Sequence, residues 1–496
     1  MQHAISEKSG RTAHPTVIPL LVATLLAPGC ASDEPAAATV AQKPLTGTAL
    51  KVSCPDARLA AVLRPMARSW AARTGAALEI ADTPMTSGDT TDVAVFPFAE
   101  LGAWADRGEL ATVPPALKEA GNPFQWSGLL PMYRSEPYAG WGALLYGLPL
   151  AADGFVLIYR MDRFADKAAG DEFRMKFGRP LVPPATWEDY ADTAAFFAAR
   201  DKAPSLPPLP ADGAKLADLF FRVAAGFDRA ARREGTKGAD PAKGDALAFA
   251  FRPEDGKPRL DRPGFAAAGR WLADLKARGA VPPPGPADPA ALLRDGKVVM
   301  AVLSLKEAAD LRPAGAAVDS RLGVAPVPGT RGYATADGKV VPVPANYVPY
   351  FGGGWVGVVR TRAANPAAGF DLLADLAGPA RSAEVVAAGG YGATRSAHFD
   401  RDRLVAWLGY GFDADRSKAL QDAAESYVAT PVQNPAFGLR TPDHAKLTTA
   451  LAGELRRIAA GETPPAEALG RAAAVWEAES PADRERERRR RAVGLQ

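Results

Sequence analysis

The side chain with the clearest chemical potential is a lone carboxylate, Asp153. It lies between a Tyr-Gly-Leu-Pro turn at 146–149 and an apolar run at 155–159, which has the length and β-branched or aromatic content of a buried strand. A carboxylate there can accept strong, charge-assisted hydrogen bonds from hydroxyl groups. It can equally cap a turn or tie a hinge by a salt bridge. We expect residues 147–160 to form the first crossing between two lobes, with Asp153 facing the cleft. Trp355 follows Gly352, Gly353 and Gly354, a run that lets a backbone or a ligand approach closely. Its indole can stack on a ligand ring or pack in a core. Phe96 ends an apolar run at 92–96, where open α/β sheets place their ligands, although core packing suits it as well. Trp141 and Tyr146 belong to an aromatic-rich stretch, 124–146, with little periodicity. They can pack a long ordered loop or line a site.

Nucleophilic and metal chemistry find little support. Beyond the N-terminal segment the histidines are His398 and His444, and neither stands beside a Ser or Cys motif. There is no Gly-x-Ser-x-Gly, no His-x-x-x-His and no Cys-x-x-Cys. Gly352-Gly-Gly lacks the Lys-Ser/Thr of a phosphate loop. Paired carboxylates occur in any chain this long.

The elements that must position these groups alternate strand and helix. Residues 50–54 read as a strand. Leu59, Val62, Leu63, Met66 and Trp70 then recur at helical spacing, and 77–80 is a second strand. A strand–helix–strand unit predicts parallel pairing. Residues 297–303 form an apolar strand, and 322–329 a strand broken by Pro. Thr186, with Asp189 three places on, predicts a helix start. Residues 201–264 are mostly polar and predict variable loops around one helix, 216–225. Leu447, Leu451, Leu455 and Ile458 share a helical face, and 466–476 predicts a further helix. No internal repeat of 20–50 residues is visible.

The 496 residues suffice for two domains. The balance, 47% hydrophobic and 23% charged, is ordinary for a globular protein. Net charge is +3, but six Arg and three acids crowd into 483–491. Without that tail and the first 30 residues the body is near neutral, so nothing in its charge favours a nucleic-acid partner. We expect 479–496 to be a disordered charged tail, solvated or touching anionic lipid headgroups.

At the N-terminus, Lys8, Arg11 and His14 precede an apolar run at 17–27, the length of a signal-peptide core and too short for a membrane span. Leu26-Ala-Pro-Gly-Cys30 follows and resembles a bacterial lipobox, in which the Cys is lipidated and becomes the mature N-terminus. Residues 1–29 are then a signal peptide and 30–47 a flexible, lipid-anchored tether. Lipidation of Cys30 would leave Cys54 as a lone thiol; a plain signal peptide would leave both for a disulfide.

The order of several motifs carries a resemblance. These are Asp92-Val-Ala-Val-Phe96 with Ala105-Asp-Arg-Gly-Glu-Leu110; Gly147-Leu-Pro-Leu150 with Leu157-Ile-Tyr-Arg-Met-Asp-Arg-Phe164; Pro184-Ala-Thr-Trp-Glu188; Leu293-Arg-Asp-Gly-Lys-Val-Val-Met300; Val324-Ala-Pro-Val-Pro-Gly329; and Gly352-Gly-Gly-Trp355. Together they resemble the extracellular solute-binding proteins of bacterial ABC importers, in the carbohydrate-binding group that includes maltose-binding protein. The resemblance implies a two-lobed, periplasmic-binding-protein-like (type II) α/β fold with a hinge and an interlobe ligand cleft. Lobe 1 would comprise 48–152 plus 350–398, and lobe 2 would comprise 153–349 plus 399–478.

The implied function is non-enzymatic and needs no cofactor. A monomer, anchored outside the cytoplasm by lipid at Cys30, captures a small solute, in the first instance a carbohydrate. Hinge closure then delivers it to the transmembrane subunits of an ABC permease. The resemblance assigns ligand roles to Asp153 and Phe96, and it places Tyr391 and Arg395, in Gly389-Gly-Tyr-Gly-Ala-Thr-Arg395, near the cleft. Arg395 could bind a carboxylate or hydroxyls, or sit in an ion pair. Two family features are missing: Ala99 stands where the group has a carboxylate, and Ser304-Leu305-Lys306 replaces a Gly-Pro-Trp. The pocket is therefore not that of a maltodextrin binder. Two alternatives stay open. One is the same fold with a different solute, such as a metal ion on Tyr347, Tyr350 and Tyr391. The other is an envelope enzyme or sensor component.

Overall fold

The computed structural model describes residues 43–134, 139–231, 249–252, 254–283, 285–350, 353–428, 439–479 and 482–492. Cys30, the signal peptide and most of the tether lie outside them.

A five-stranded sheet has the order β2-β1-β3-β12-β6. Its strands are β1 (Ala49–Ser53), β2 (Ala77–Ala81), β3 (Val93–Pro97), β6 (Gly147–Ala151) and β12 (Trp355–Val359). β1 pairs in parallel with β2 and β3, as the strand–helix–strand pattern predicts. β12 runs antiparallel between β3 and β6, so a strand from late in the chain closes the middle of the sheet. The helix Ala57–Thr74 packs Leu59, Leu63, Met66 and Trp70 into this core. Asp56 caps it by accepting from the Leu59 amide.

A second, three-stranded sheet has the order β8-β7-β9: β7 (Phe155–Arg160), β8 (Met300–Ser304) and β9 (Leu322–Ala325). Side chains alternate faces along a strand, and here each face meets its own core. Leu157 and Met300 enter one, with the helices Trp187–Asp201, Gly213–Asp228, Pro263–Ala277 and His444–Ala460. Val156, Ile158, Leu303 and Val324 enter the other, with Ala414–Val428. Thr186 accepts from the Asp189 amide and starts its helix where expected. A separate hairpin joins β10 (Thr330–Ala334) to β11 (Val340–Asn346).

Between the sheets the chain crosses at 152–154. Ala152 exchanges two backbone hydrogen bonds with Gly392, 3.2 and 2.8 Å, so two connecting segments are zipped together. A third link runs from the Leu305 amide to the Gly154 carbonyl, 2.9 Å. Gly354 has φ +78°, and a Cβ there would lie 2.2 Å from the Ala151 carbonyl oxygen. Only glycine lets β12 approach the crossing this closely.

Two expectations need correction. Residues 482–492, expected to be disordered, form a helix (Ala482–Ala492). Its arginines find partners that composition cannot reveal: Arg488 pairs with Asp106 at 2.9 Å, and Arg489 lies 3.8 Å from the Phe251 ring centroid. The helix within 201–264 is also longer than its apolar pattern suggested, spanning Gly213–Asp228. The Asp212 cap extends it by accepting from the Lys215 amide.

Candidate interlobe site

The crossing strands open into a cavity of about 800 Å³. One wall comes from the ends of β3, β6 and β12: Pro97, Ala99, Glu100, Ala152, Asp153, Gly354 and Trp355. The facing wall comes from β7, β8 and the helix Gly213–Asp228, with Phe155, Ser304, Lys215, Asp218 and Arg222. Residues 215, 218 and 222 share one helical face, while Phe220, Phe221 and Val223 are buried.

Asp153 sits at the centre of this arrangement. Its Oδ1 accepts from the Gly154 amide at 2.7 Å. Among the described residues no cation forms an ion pair with it. Burial pushes its carboxyl up to about 7; the Gly154 hydrogen bond opposes this, Asp218 and Glu307 add repulsion, and Arg222 offsets part of it.

The surrounding charges are mostly satisfied within the protein. Arg222 pairs with Asp218 one turn earlier and lies over Phe155, its Cζ 3.4 Å from the ring centroid. Lys215 Nζ meets Glu307 Oε1 at 3.1 Å. Glu307 in turn completes a capping box with Ser304, accepting from its amide and hydroxyl at 2.9 Å each. Lys306 Nζ reaches Asp56 Oδ2 at 2.6 Å, and the Tyr391 hydroxyl donates to Asp56 Oδ1. Burial of Asp56 opposes its ionisation, but hydrogen bonds from Lys306, Tyr391 and Leu59 outweigh it and hold the carboxyl below its usual range.

The structure therefore brings Asp153, Trp355, Tyr391 and Ser304 to the cavity. It does not bring four others. Phe96 is 4% exposed and stacks on Trp104 within the first core. Its face of β3 is covered, and the cavity is met only at Pro97, Ala99 and Glu100. Arg395 is 2% exposed and spends its guanidinium on the carbonyls of Ala377, Gln125 and Phe124, at 3.0, 3.0 and 2.6 Å. Trp141 is buried in the first core against Gly102, and Tyr146 packs against the same core. The three tyrosines of the metal alternative are not gathered: Tyr350 and Tyr391 line the cavity and Tyr347 does not.

Sequence reasoning missed Asp218, Arg222, Lys215 and Glu307. The charged stripe at 215, 218 and 222 on an otherwise apolar helix was the available signal. It also missed Glu100, one residue beyond the absent carboxylate at Ala99. A Ser–His pair does exist, Ser382 Oγ to His398 Nε2 at 2.8 Å. Both residues are buried away from the cavity, and burial pushes the imidazole down to about 4.

The fold has close structural relatives. The acarbose-binding GacH receptor of Streptomyces glaucescens is 18% identical, with a TM-score of 0.60 over 87% of this chain and 98% of that one. Maltose-bound MalE3 of T. maritima is 16% identical, with a TM-score of 0.62 over 87% of this chain and 100% of that one. An ABC transporter solute-binding protein from Agrobacterium radiobacter, in complex with ribitol, is 17% identical, with a TM-score of 0.61 over 88% and 100%. At these identities the likeness establishes the fold. No match was found among curated proteins. The sequence itself matches the bacterial extracellular solute-binding protein family over residues 79–405, and the chain belongs to that family.

Proposed function

We propose that this protein captures a carbohydrate or polyol in the interlobe cavity and delivers it to the permease of an ABC importer. One observation carries the reading. Asp153 stands at the crossing between the sheets, enclosed by protein yet open to the cavity, with no cation paired to it among the described residues. A hydroxyl-rich ligand supplies the donors such a carboxylate lacks. Trp355, half-buried beside it, offers an apolar face for a sugar ring. Acarbose, maltose and ribitol in the relatives agree with this class of ligand.

The crossings at 152–154 and 392 are the natural hinge, and ligand contacts to both walls would favour closure. The lobes we assign are 48–152 plus 350–398 and 153–349 plus 399–478. Cys30 is the proposed lipidation site, holding a monomer at the membrane outside the cytoplasm through the 30–47 tether. Palmitate labelling that survives Cys30→Ala would refute the anchor.

The test of the main reading is a thermal-shift panel of mono- and oligosaccharides and polyols. A cognate ligand raises the melting temperature by mass action, and Asp153→Ala abolishes the shift. A panel without any shift would sink the carbohydrate reading.

A further inference from the structure

The charges lining the cavity do not balance. Its carboxylates are Asp56, Glu100, Asp153, Asp218, Glu307 and Asp310; its permanent cations are Lys215, Arg222, Lys306 and Arg440. The pairings already made sharpen the imbalance. Lys306 is taken by Asp56, Lys215 by Glu307 and Arg222 by Asp218. Asp310 pairs with Arg58 from outside the cavity. Arg440 directs its guanidinium onto the carbonyls of Gly140 and Ala492. Two carboxylates remain without an ion pair among the described residues, Asp153 and Glu100. Both come from the wall formed by the ends of β3 and β6.

These two acids differ from a solvated acidic patch. Asp153 is enclosed by protein, and an uncompensated charge in such a place is costly. A protein that binds only neutral sugars could hold an amide or hydroxyl there at less cost. A cation on the ligand would supply the missing charge, with Trp355 beside Asp153 adding a face suited to an ammonium group. The inference rests on the carbohydrate reading of this cleft and narrows it. We infer that the cognate solute is an aminated carbohydrate or aminocyclitol, whose protonated amine sits between Asp153 and Glu100 and whose hydroxyls meet the remaining polar wall.

Burial, which pushes the Asp153 carboxyl up to about 7 in the empty cavity, fits this picture. An arriving ammonium stabilises the carboxylate, so binding releases a proton at neutral pH. The groups that set this balance are the Gly154 amide at the crossing, Asp218 and Arg222 on the Gly213–Asp228 helix, and Glu307 after β8; the Asp153 charge in turn acts on Tyr410 and Tyr427.

The decisive experiment is calorimetry on the full chain with ligand pairs that differ only in charge. Suitable pairs are glucosamine oligosaccharides against their N-acetylated counterparts, and glucosamine and galactosamine against glucose and galactose. We expect the amine of at least one pair to bind about tenfold tighter or more. That preference should shrink in Asp153→Asn and in Glu100→Gln, and heats measured in buffers of different ionisation enthalpy should report proton release. Glu100→Gln tests the same idea at a partly exposed position where folding is not at stake. Neutral members binding as tightly as their amines would overturn the charge inference and leave the carbohydrate reading standing. Binding by no member of any pair would overturn the amine inference, and the carbohydrate reading would then stand or fall with the wider panel of sugars and polyols.

Discussion

Lys306 reaches from one wall of the cleft to Asp56 on the other, its Nζ 2.6 Å from Oδ2, across 250 residues of sequence. Asp56 is almost fully buried and also caps the helix Ala57–Thr74, while the lysine is half-exposed. Arg58 pairs with Asp310 beside it. These contacts tie the helix start to the segment that follows β8, so they oppose opening of the cleft.

Lys306→Ala is expected to lower the stability of the ligand-free protein by about 1 kcal/mol, since one partner is half in water. It should also enlarge the radius of gyration by favouring the open form. The depressed Asp56 carboxyl gives a sign for pH. It stabilises the fold above the ordinary aspartate value, and that contribution is lost as pH falls through its lower folded value. The variant should therefore show a flatter acid limb in urea titrations between pH 5 and 3. An unchanged limb and an unchanged radius would deny the tie.

Asp153 behaves oppositely. Its folded pKa of about 7 lies above that of an unfolded aspartate, near 3.9. Between those values the native state keeps a proton that the unfolded chain has released. Stability of the empty protein therefore falls as pH rises through that window. Asp153→Asn should remove the fall and stabilise the ligand-free protein at pH 8 by on the order of 2 kcal/mol, while weakening ligand binding. Urea denaturation at pH 5 and pH 8 is the check.

Arg395 supports the backbone of 124–125 and 377 rather than the ligand. Arg395→Ala leaves three buried carbonyls without donors and should cost about 3 kcal/mol or more. In whatever fraction folds, ligand affinity should be unchanged. Arg395→Lys should rescue little, because a single ammonium cannot span the three acceptors. A change in affinity larger than the change in stability would return Arg395 to the site.

The C-terminal helix Ala482–Ala492 holds residues far apart in sequence. The Gly142 amide donates to Arg491 O at 2.9 Å, Arg488 pairs with Asp106, and Arg489 donates to the Gly256 carbonyl. Removing residues 482–496 should speed hydrogen exchange in the short β4–β5 hairpin (Gly140–Trp141 and Leu144–Leu145) and lower the melting temperature by a few degrees. High salt should mimic part of the effect by weakening the Arg488–Asp106 ion pair.

Local pattern was enough for much of this molecule. Hydrophobic period located β1, β2, β3, β7 and β8. Side-chain chemistry located the Thr186 cap. A carboxylate stranded between a Pro turn and a core strand pointed to Asp153. Each of these depends on neighbours within a few residues, where period and capping act. The remainder depends on long-range packing. Phe96 and Arg395 look like ligand residues until Trp104 stacks on the one and the 124–125 carbonyls engage the other. Lys215, Asp218 and Arg222 look like a solvated helix face until β7 sets Phe155 against Arg222 and Glu307 meets Lys215. The Arg-rich tail looks unstructured until Asp106 and Phe251 meet it. Whether a charge binds a ligand or another part of the protein depends on which partners come within about 4 Å, and those partners lie too far away in sequence for any local pattern to show.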